Sequence, residues 1–374
     1  MREVKKVLIL GYGVLGGRVV DEVLRAHPGI QVFVAGRNER RLEERVNLAR
    51  YAALNYGDAA EVTAVPIDLL DGERTAKAVE ALRPDLVLNA TSMLPWWRLD
   101  ELPPRVRDGI KKAGSGIWAA TDLLLPLRLT QALDRAGFDG VFVNASFADL
   151  VNPVVFNPAV GPVCGIGNVA NAVPGLTLAA AAMLEEDIRD VRIRFVAHHF
   201  LSYTMPTTGT GGGAPYILQV LVREEDVSPE IDPEALFRSV ATRFRRVKGV
   251  AGQAVTVSSA MSVVNALIDG RSRYAHAPGV LGRAGGYPVR IDGGSVEFDL
   301  PGTTDPTEAE AVNSTAAAWD GIRAVSRTDG IWVTDSAAAI AQEMLKYDAN
   351  GISIENCEEK AVELAERFES LLRD

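Results

Sequence analysis

The stretch Lys6-Val7-Leu8-Ile9-Leu10-Gly11-Tyr12-Gly13-Val14-Leu15-Gly16-Gly17 decides the fold of this chain. A short apolar run leads directly into a glycine-rich turn, and a helical pattern of apolar residues follows over 19–24. A second apolar run, 32–35, ends at Gly36-Arg37-Asn38. The order is therefore strand, glycine turn, helix and strand, which is typical of the first unit of a nucleotide-binding parallel sheet.

Each glycine of the turn has a separate physical role. Gly11 allows a sharp turn off the strand, Gly13 leaves room for a pyrophosphate, and Gly16 lets the helix lie close to the sheet. The free N–H groups at the helix N-terminus then favour phosphate binding. We therefore expect a dinucleotide to bind along the turn, whose contact residues are Gly11, Tyr12, Gly13, Val14, Leu15 and Gly16.

The end of the second strand indicates which dinucleotide binds. NAD sites usually place Asp or Glu there, about 20 residues after the glycines. This chain instead has Arg37 and Asn38, with Arg40 and Arg41 following. A guanidinium binds a 2′-phosphate that a carboxylate would repel, so we predict NADP as the cofactor. The alternative for Arg40 and Arg41 is the solvated face of a helix over 39–51.

Composition excludes several classes of function. The chain has 374 residues, 47% hydrophobic and 24% charged, with a formal net charge of -10. This balance argues against a nucleic-acid or anionic-membrane binder. Two cysteines with no metal-finger spacing fit a reducing compartment, and no signal-peptide core follows the start. We therefore expect a cytoplasmic protein with no nucleic-acid and no membrane partner; the apolar run 176–184 is too short to span a bilayer.

Strands and helices alternate after the opening unit. Apolar runs at 60–66 and 85–90 read as further strands, and helical patterns separate them, so we predict a Rossmann doubly wound parallel sheet. Ligands of such sheets bind beyond the carboxyl ends of the strands. At these ends lie further candidate cofactor contacts, namely Asp68, Asn89, Ala90 and Thr91. Asp68 is equally well explained as a helix N-cap.

The first 90 residues or so resemble the nucleotide domain of the saccharopine-dehydrogenase-like reductases. The residues that carry the resemblance are 8–16, Ala35-Gly36-Arg37-Asn38, Asp68 and Val87-Leu88-Asn89-Ala90. The resemblance implies a bound pyridine nucleotide. It does not choose the substrate, because many enzymes share this half.

The middle of the chain is loosely similar to two other families, the lactate and malate dehydrogenases and the NAD-dependent 6-phospho-glycosidases. The similarity lies in Asn144, Asn152-Pro153, 164–168 and His198-His199-Phe200. The dehydrogenases' Gly-Glu-His-Gly loop is absent. The glycosidase comparison implies that Cys164 and one of the two histidines hold a divalent metal, whereas a Cys of this kind is more often a small buried hydrophobe.

Hydride transfer needs one protein group that donates or accepts a proton. His198 and His199 follow an apolar strand pattern over 191–197, and an unperturbed imidazole suits this task at neutral pH. Adjacent strand residues point to opposite faces, so one histidine should face the site. Tyr203 is a second candidate acid, and we expect Asn144 and Asn168 to position the substrate.

The rest of the chain reads as a second, α+β part. The run Thr207 to Tyr216 is rich in glycine and threonine ahead of an expected apolar helix, and is either an anion site or a flexible connection. A helix and then a strand are expected over 231–256. Two strands around Asp292-Gly293-Gly294 form a predicted hairpin. Helices are expected over 307–325, 335–345 and 357–372, the last packing on its own chain or on a partner.

These observations predict an enzyme of three parts: an NADP-binding domain over 1–160, a substrate and dimerisation domain over 161–330, and C-terminal helices over 331–374. We expect an NADP-dependent dehydrogenase or reductase that acts on the carbonyl, alcohol, imine or amine carbon of a small polar substrate, as a homodimer. Two alternatives stay open, a metal-dependent lyase or glycosidase with bound nucleotide, and a nucleotide-sensing regulator without turnover.

Overall fold

A six-stranded parallel sheet forms the centre of the first half of the molecule. The structure is a computed structural model that describes residues 3–247 and 249–373. The strands of this sheet are β1 Lys6–Leu10, β2 Gln31–Gly36, β3 Val62–Pro66, β4 Leu86–Asn89, β5 Val141–Asn144 and β6 Cys164–Gly165. Their order is β3-β2-β1-β4-β5-β6, so the predicted Rossmann doubly wound sheet is confirmed. The chain reverses direction across the sheet beside β1, and a ligand crevice opens at that point on the carboxyl edge.

Helices cover both faces of this sheet. The helices of the first half are α1 Val14–Ala26, α2 Glu39–Asn55, α3 Gly72–Leu82, α4 Pro104–Lys111, α5 Ala119–Arg135 and α6 Ala148–Val155. Side chains alternate along a strand, so Ile9 packs with Val19 of α1 in one core cluster. Leu8 packs with Val79 of α3 and Leu129 of α5 in another cluster. Helices α1 and α2 therefore share one face, and α3 and α5 share the other.

The second half of the chain adds two antiparallel sheets, in agreement with the predicted α+β part. Its elements are α7 Val173–Leu184, β7 Val191–Val196, α8 His199–Thr208, β8 Ile217–Val222, β9 Glu225–Asp226, α9 Pro233–Thr242, α10 Gly249–Asp269, β10 Arg273–Pro278, β11 Gly286–Asp292 and β12 Ser295–Phe298. The sheet orders are β7-β8-β9 and β10-β11-β12. A β-bridge between Ala197 and Gly286 joins them, and the hairpin at Asp292-Gly293-Gly294 forms as predicted.

The C-terminal segment packs on the helices of the first half. It contains α11 Pro306–Ala316, β13 Ile322–Ser326, β14 Gly330–Val333, α12 Asp335–Leu345 and α13 Cys357–Leu371. Phe368 of α13 contacts the ring of Trp118, which directly precedes α5, with ring centroids 6.0 Å apart. The amphipathic last helix therefore buries its apolar stripe on its own chain.

Two apolar segments adopt a different structure from the one expected. Residues Ile217–Val222 form β8 and not a helix, because they pair antiparallel with β7 along its whole length. Residues up to Thr256, expected as a strand, belong to α10, which begins at Gly249. The β-branched residues of α10 favour a strand locally, but buried positions such as Val257, Val264 and Leu267 recur at helical spacing.

Other element boundaries also differ. The helix expected over 307–325 ends at Ala316; a 3-10 turn runs to Asp320, and Gly321 with φ 76° leads into β13. The left-handed conformation of Gly321 therefore ends the helical segment before residue 322.

Helix α10 is long and apolar enough, by length and composition, to cross a membrane. Its mean hydropathy is 1.3 over the most apolar window, and half of that window is buried in the protein. Within the described residues it is the one helix that meets these criteria. Buried core helices of soluble proteins share this composition.

Candidate functional site

The glycine turn after β1 has the geometry of a phosphate cradle. Gly11 has φ 93°, and a Cβ there would lie 2.6 Å from the carbonyl oxygen of Ala90. A Cβ on Gly16 would lie 1.9 Å from the Gly11 carbonyl oxygen. At Gly13 a Cβ would meet nothing within 4 Å, and Gly13 caps α1 with no side-chain hydrogen bond. The backbone is thus open at Gly13, where a diphosphate would fit.

The ends of β2 and β3 present the other expected cofactor contacts. Arg37 is exposed directly after β2 and forms no ion pair with any residue the structure describes. Asn38 caps α2 by accepting a hydrogen bond from the Arg41 N–H at 2.9 Å. Asp68 is exposed and accepts from the Leu70 N–H at 3.1 Å. The N-cap of α3 is Asp71, so Asp68 is not the helix cap that the alternative reading required.

A chain of buried asparagines connects the ends of β4 and β5. Asn89 donates to Asn144 Oδ1 at 2.9 Å, and its own Oδ1 accepts from the Thr91 hydroxyl at 2.6 Å. Asn144 donates to Asn152 Oδ1 at 2.9 Å, and Asn152 donates to the Gly279 carbonyl at 3.0 Å.

Asn144 also donates to the Ser146 carbonyl at 3.0 Å and accepts from the Ser146 N–H at 3.1 Å. Both donors and both acceptor positions of its side-chain amide are therefore used within the protein.

The two histidines do not lie on a strand as expected. Strand β7 ends at Val196, His198 caps α8, and His199 is the first residue of that helix. His199 Nδ1 lies 2.6 Å from Asp320 Oδ2, and the His199 ring is 22% exposed. His198 is almost fully buried, and its Nδ1 accepts from the Phe200 N–H. His199 is therefore the histidine that keeps access to solvent.

Asp320 is held in place by three donors. Besides His199, the Ser115 N–H donates to Asp320 Oδ1 at 2.8 Å, and the Tyr203 hydroxyl donates to the same oxygen at 3.2 Å. Asp320 is fully buried. A buried carboxylate needs such partners because its desolvation is costly.

Electrostatics favour the charged forms of this pair. Burial alone would lower the pKa of His199, but the carboxylates of Asp320, Asp149 and Asp122 raise it above its usual value. Burial would raise the pKa of Asp320, yet the two histidines lower it well below its usual range. Burial dominates at Asp122 and raises the pKa of its carboxyl to about 7. The pair is therefore suited to hold a proton on His199 at neutral pH.

At the neighbouring groups, His198 and Tyr203, burial dominates and favours the neutral form of each side chain. It lowers the pKa of His198, which keeps that imidazole neutral. It raises the pKa of Tyr203 well above its usual value, with Asp320 adding to the effect. Tyr203 therefore keeps its proton and serves as a hydrogen-bond donor.

Phe147 places His199 at the carboxyl end of β5. The two rings pack with centroids 4.9 Å apart, and Phe147 lies three residues after the last residue of β5. Its φ of 32° is unusual for a bulky residue, and backbone strain of this kind is common at functional sites. Met93, which follows β4, packs on the same cluster as Phe147. His199 is thus close to the carboxyl ends of β4 and β5, which follow β1 and its glycine turn in the sheet order.

Asp149 connects Asn168 to the histidine. It accepts from the Asn168 side-chain amide and, through its other oxygen, from the His199 N–H at 3.1 Å. Four of the five predicted catalytic residues therefore lie close together. His199, Tyr203 and Asn168 are hydrogen-bonded to Asp149 or Asp320, and His198 lies next to Asp320. Asn144 belongs to the separate asparagine chain.

Cys164 lies in the core and not in this group. Its side chain is fully buried in β6, and burial raises the pKa of its thiol to about 12. Across residues 3–247 and 249–373, no group of three or more His, Cys, Asp and Glu side chains is placed to hold a metal ion.

Three acidic residues of the site were missed from the sequence, Asp122, Asp149 and Asp320. Asp320 lies 121 positions after His199, inside a segment read as helix, and no spacing rule relates the two. Asp149 lies at the start of α6, five residues after the strand that ends at Asn144, so its position near the carboxyl edge was the one available signal.

The glycine-threonine run, which the sequence left open, and the segment that follows β4 both have definite contacts. The carbonyl of Gly212, in the glycine-threonine run, accepts from the indole N–H of Trp319 at 2.9 Å, directly beside Asp320. Trp96 begins a 3-10 helix after β4, and Arg98 of that helix pairs with Glu369 of α13. The first segment borders the histidine site, and the second is tied to the last helix.

The fold is similar to that of solved dehydrogenases. A malate dehydrogenase from Aeropyrum pernix superposes with a TM-score of 0.56 at 10% identity, over 84% of this chain and 97% of that one. A malate dehydrogenase from Plasmodium falciparum in complex with NADH gives 0.52 at 9% identity, over 91% and 99%. A lactate dehydrogenase from Cryptosporidium parvum, complexed with lactic acid and the nicotinamide dinucleotide, gives 0.53 at 15%, over 86% and 99%.

These similarities establish a shared fold. They support the resemblance of this chain to lactate and malate dehydrogenases at that level. No protein-family model matches the sequence, and a comparison with curated proteins finds no match. The resemblance of residues 8–16 to saccharopine-dehydrogenase-like reductases stays a prediction.

Proposed function

We propose that this chain is an NADP-dependent oxidoreductase that transfers a hydride to or from a carbonyl or alcohol carbon, or an imine or amine carbon, of a small polar substrate. The observation that carries the proposal is the pair of His199 Nδ1 and Asp320 Oδ2, 2.6 Å apart at the carboxyl end of β5. A histidine held by a buried carboxylate is a proton donor and acceptor suited to this chemistry.

The cofactor would be held by the open turn at Gly13 and the N-terminus of α1, with Arg37 on its 2′-phosphate. The absence of a Cβ at Gly13 fits a diphosphate, and the exposed Arg37 guanidinium suits a second anionic group. Asp68, Asn89, Ala90 and Thr91 would line the same edge. A bound nicotinamide dinucleotide supplies the hydride, and the protein supplies orientation and the proton.

His199 handles that proton in the proposed mechanism. Asp320 holds Nδ1, so Nε2 is the nitrogen that gives a proton to the substrate oxygen or nitrogen in reduction and takes it back in oxidation. Tyr203 and Ser115 hold Asp320 from its other oxygen. Asn168 acts through Asp149, which fixes the backbone of His199.

The proposal is tested by turnover. Purified protein is mixed with NADPH and a panel of 2-oxo acids, aldehydes and cyclic imines, and NADPH oxidation is followed by absorbance. We expect oxidation with at least one substrate class, lost in His199→Gln but largely kept in Tyr203→Phe. Binding of NADPH without turnover of any substrate would refute the enzyme and favour the nucleotide-sensing alternative.

We also propose a homodimer. Val247 and Val250, around the start of the apolar helix α10, are 68% and 45% exposed, and clustered exposed apolar side chains are candidates for contacts between subunits. Sedimentation should then give twice the 40.1 kDa mass of the chain, and a sedimenting species of single-chain mass at micromolar concentration would contradict this.

A further inference from the structure

Helix α10 runs beside α1 and in the same direction. Near the C-terminal end of α1, His27 Nε2 lies 2.8 Å from Asn265 Oδ1 in the last turns of α10. Further toward the N-termini, Arg18 of α1 and Val257 of α10 line one cavity of about 520 Å³ between the helices. The N-terminal end of α10 therefore lies at the carboxyl edge of the sheet, where α1 begins at the glycine turn.

The first turns of α10 can be oriented from two neighbours. Thr256 accepts from the Asn171 side-chain amide at 3.1 Å, and Asn171 belongs to the segment that follows β6. Val257 borders Arg18. Residue 253 lies one turn before Thr256 and Val257. Because successive helical residues are about 100° apart, its side chain leaves the helix in a direction between those of these two residues. Gln253 is thus aimed at the sheet edge, between the start of α1 and the segment after β6.

The Gln253 side chain is buried there without a partner. The residue is 8% exposed, and its Oε1 has no hydrogen-bond partner among the described residues. Nearly all buried polar side-chain atoms in native proteins have one, and an exception calls for an explanation. A buried amide beside a ligand crevice is explained if the ligand itself completes the hydrogen bond.

We propose that the side-chain amide of Gln253 hydrogen-bonds the nicotinamide riboside half of the dinucleotide. This rests on the proposed function. With the diphosphate at Gly13 and the 2′-phosphate at Arg37, the adenosine half occupies the β2 side of the crevice, so the nicotinamide half extends over β4 and β5. That is the edge toward which Gln253 projects. A primary amide has the donor and acceptor that match a carboxamide or ribose hydroxyls.

The test compares two ligands on two variants. Gln253→Met keeps the length of the side chain without its amide, and Ser258→Ala, on the exposed side of α10, is the control. Calorimetric titration measures affinity for NADPH and for 2′,5′-ADP, which lacks the nicotinamide half. We expect Gln253→Met to weaken NADPH binding by about 3- to 10-fold, the effect of one neutral hydrogen bond, with 2′,5′-ADP affinity and the urea midpoint unchanged.

The outcomes separate this inference from the function on which it rests. Wild-type protein that binds neither ligand refutes the proposed function. Wild-type protein that binds NADPH, with equal affinity in Gln253→Met, refutes the role of Gln253 alone. Parallel losses for both ligands also refute it, since general damage would explain them. If Gln253→Met does not fold, Gln253→Asn withdraws the amide by one methylene and must show the same selective loss.

Discussion

Replacing Asp320 by Asn should disable proton transfer while leaving the fold in place. Asparagine keeps an oxygen for Ser115 and Tyr203, but it removes the negative charge beside His199 Nδ1, 2.6 Å from the carboxylate oxygen. With charge centres about 4 Å apart and an effective dielectric constant near 20, the lost attraction is about 4 kcal/mol. This corresponds to about a thousandfold in the protonation equilibrium constant of His199, so at pH values above the wild-type pKa of this imidazole we expect kcat/KM for reduction to fall by roughly 100- to 1000-fold.

The pH profile provides the sharper readout. Because Asp320 raises the pKa of His199 in the folded protein, wild-type reduction should persist at neutral pH and fall only as the pH rises through that raised pKa. In Asp320→Asn the loss of reduction rate should occur at lower pH. Oxidation needs neutral His199, so its rate should also begin to rise at lower pH. By the same linkage, the stabilisation from the charged histidine is present below its unfolded-state pKa and is lost as the pH rises through the folded one.

The measurement is kcat/KM across pH in both directions, with Asp335→Asn as control because the Asp335 side chain is almost fully exposed. A uniform loss of rate with an unmoved pH profile would show that Asp320 does not set the protonation of His199, and the reasoning would be wrong. An unchanged rate would remove His199 from the chemistry altogether.

Four further outcomes are expected. Arg37→Asp should weaken NADPH by about 10- to 100-fold, as expected for a lost charge-assisted hydrogen bond, and NADH by far less; equal losses in titration would contradict the 2′-phosphate contact. Gly13→Ala should fold normally and lose dinucleotide affinity, whereas Gly16→Ala, whose Cβ would lie 1.9 Å from a backbone oxygen, should unfold at lower urea. Asn144→Leu should cost about 3 kcal/mol or more in urea denaturation, since it leaves several buried polar groups unpaired; a loss under 1 kcal/mol would argue against a structural network. EDTA and Cys164→Ala should both leave turnover unchanged, because the Cys164 thiol is buried in the core; inactivation by EDTA, reversed by added metal, would revive the metal-dependent alternative.

Local chemistry explains which parts of the molecule the sequence predicts well. The glycine turn needs Gly11 and Gly16 for close contacts between neighbouring segments, and such requirements can be read from spacing alone. The hairpin at 292–294 is equally local. The segment Ile217–Val222 is different, because six apolar or amide residues are compatible with helix or strand, and pairing with β7 decides between them.

The candidate site likewise contains residues that the sequence identifies and residues that only the tertiary structure identifies. The chemistry of His199 and its place near a strand end identify it from the sequence, although β7 ends at Val196, one residue before the end of the apolar pattern. The carboxylate that pairs with His199 could not be identified from the sequence. Asp320 is placed beside the imidazole by a 3-10 turn that ends at Gly321, and the sequence pattern predicts a continuous helix there. The sequence contains 49 acidic residues, and only tertiary structure singles out the one beside the imidazole.

The distance along the chain between His199 and Asp320 has a consequence for synthesis. The ribosome can release the whole six-stranded sheet, which ends at Gly165, well before residue 320 is made. Under the proposed function, a growing chain would complete its nucleotide-binding sheet early and would begin turnover only after residue 320, in its last quarter, has been made. On the same proposal, an interrupted product that stops short of residue 320 would bind coenzyme without consuming it.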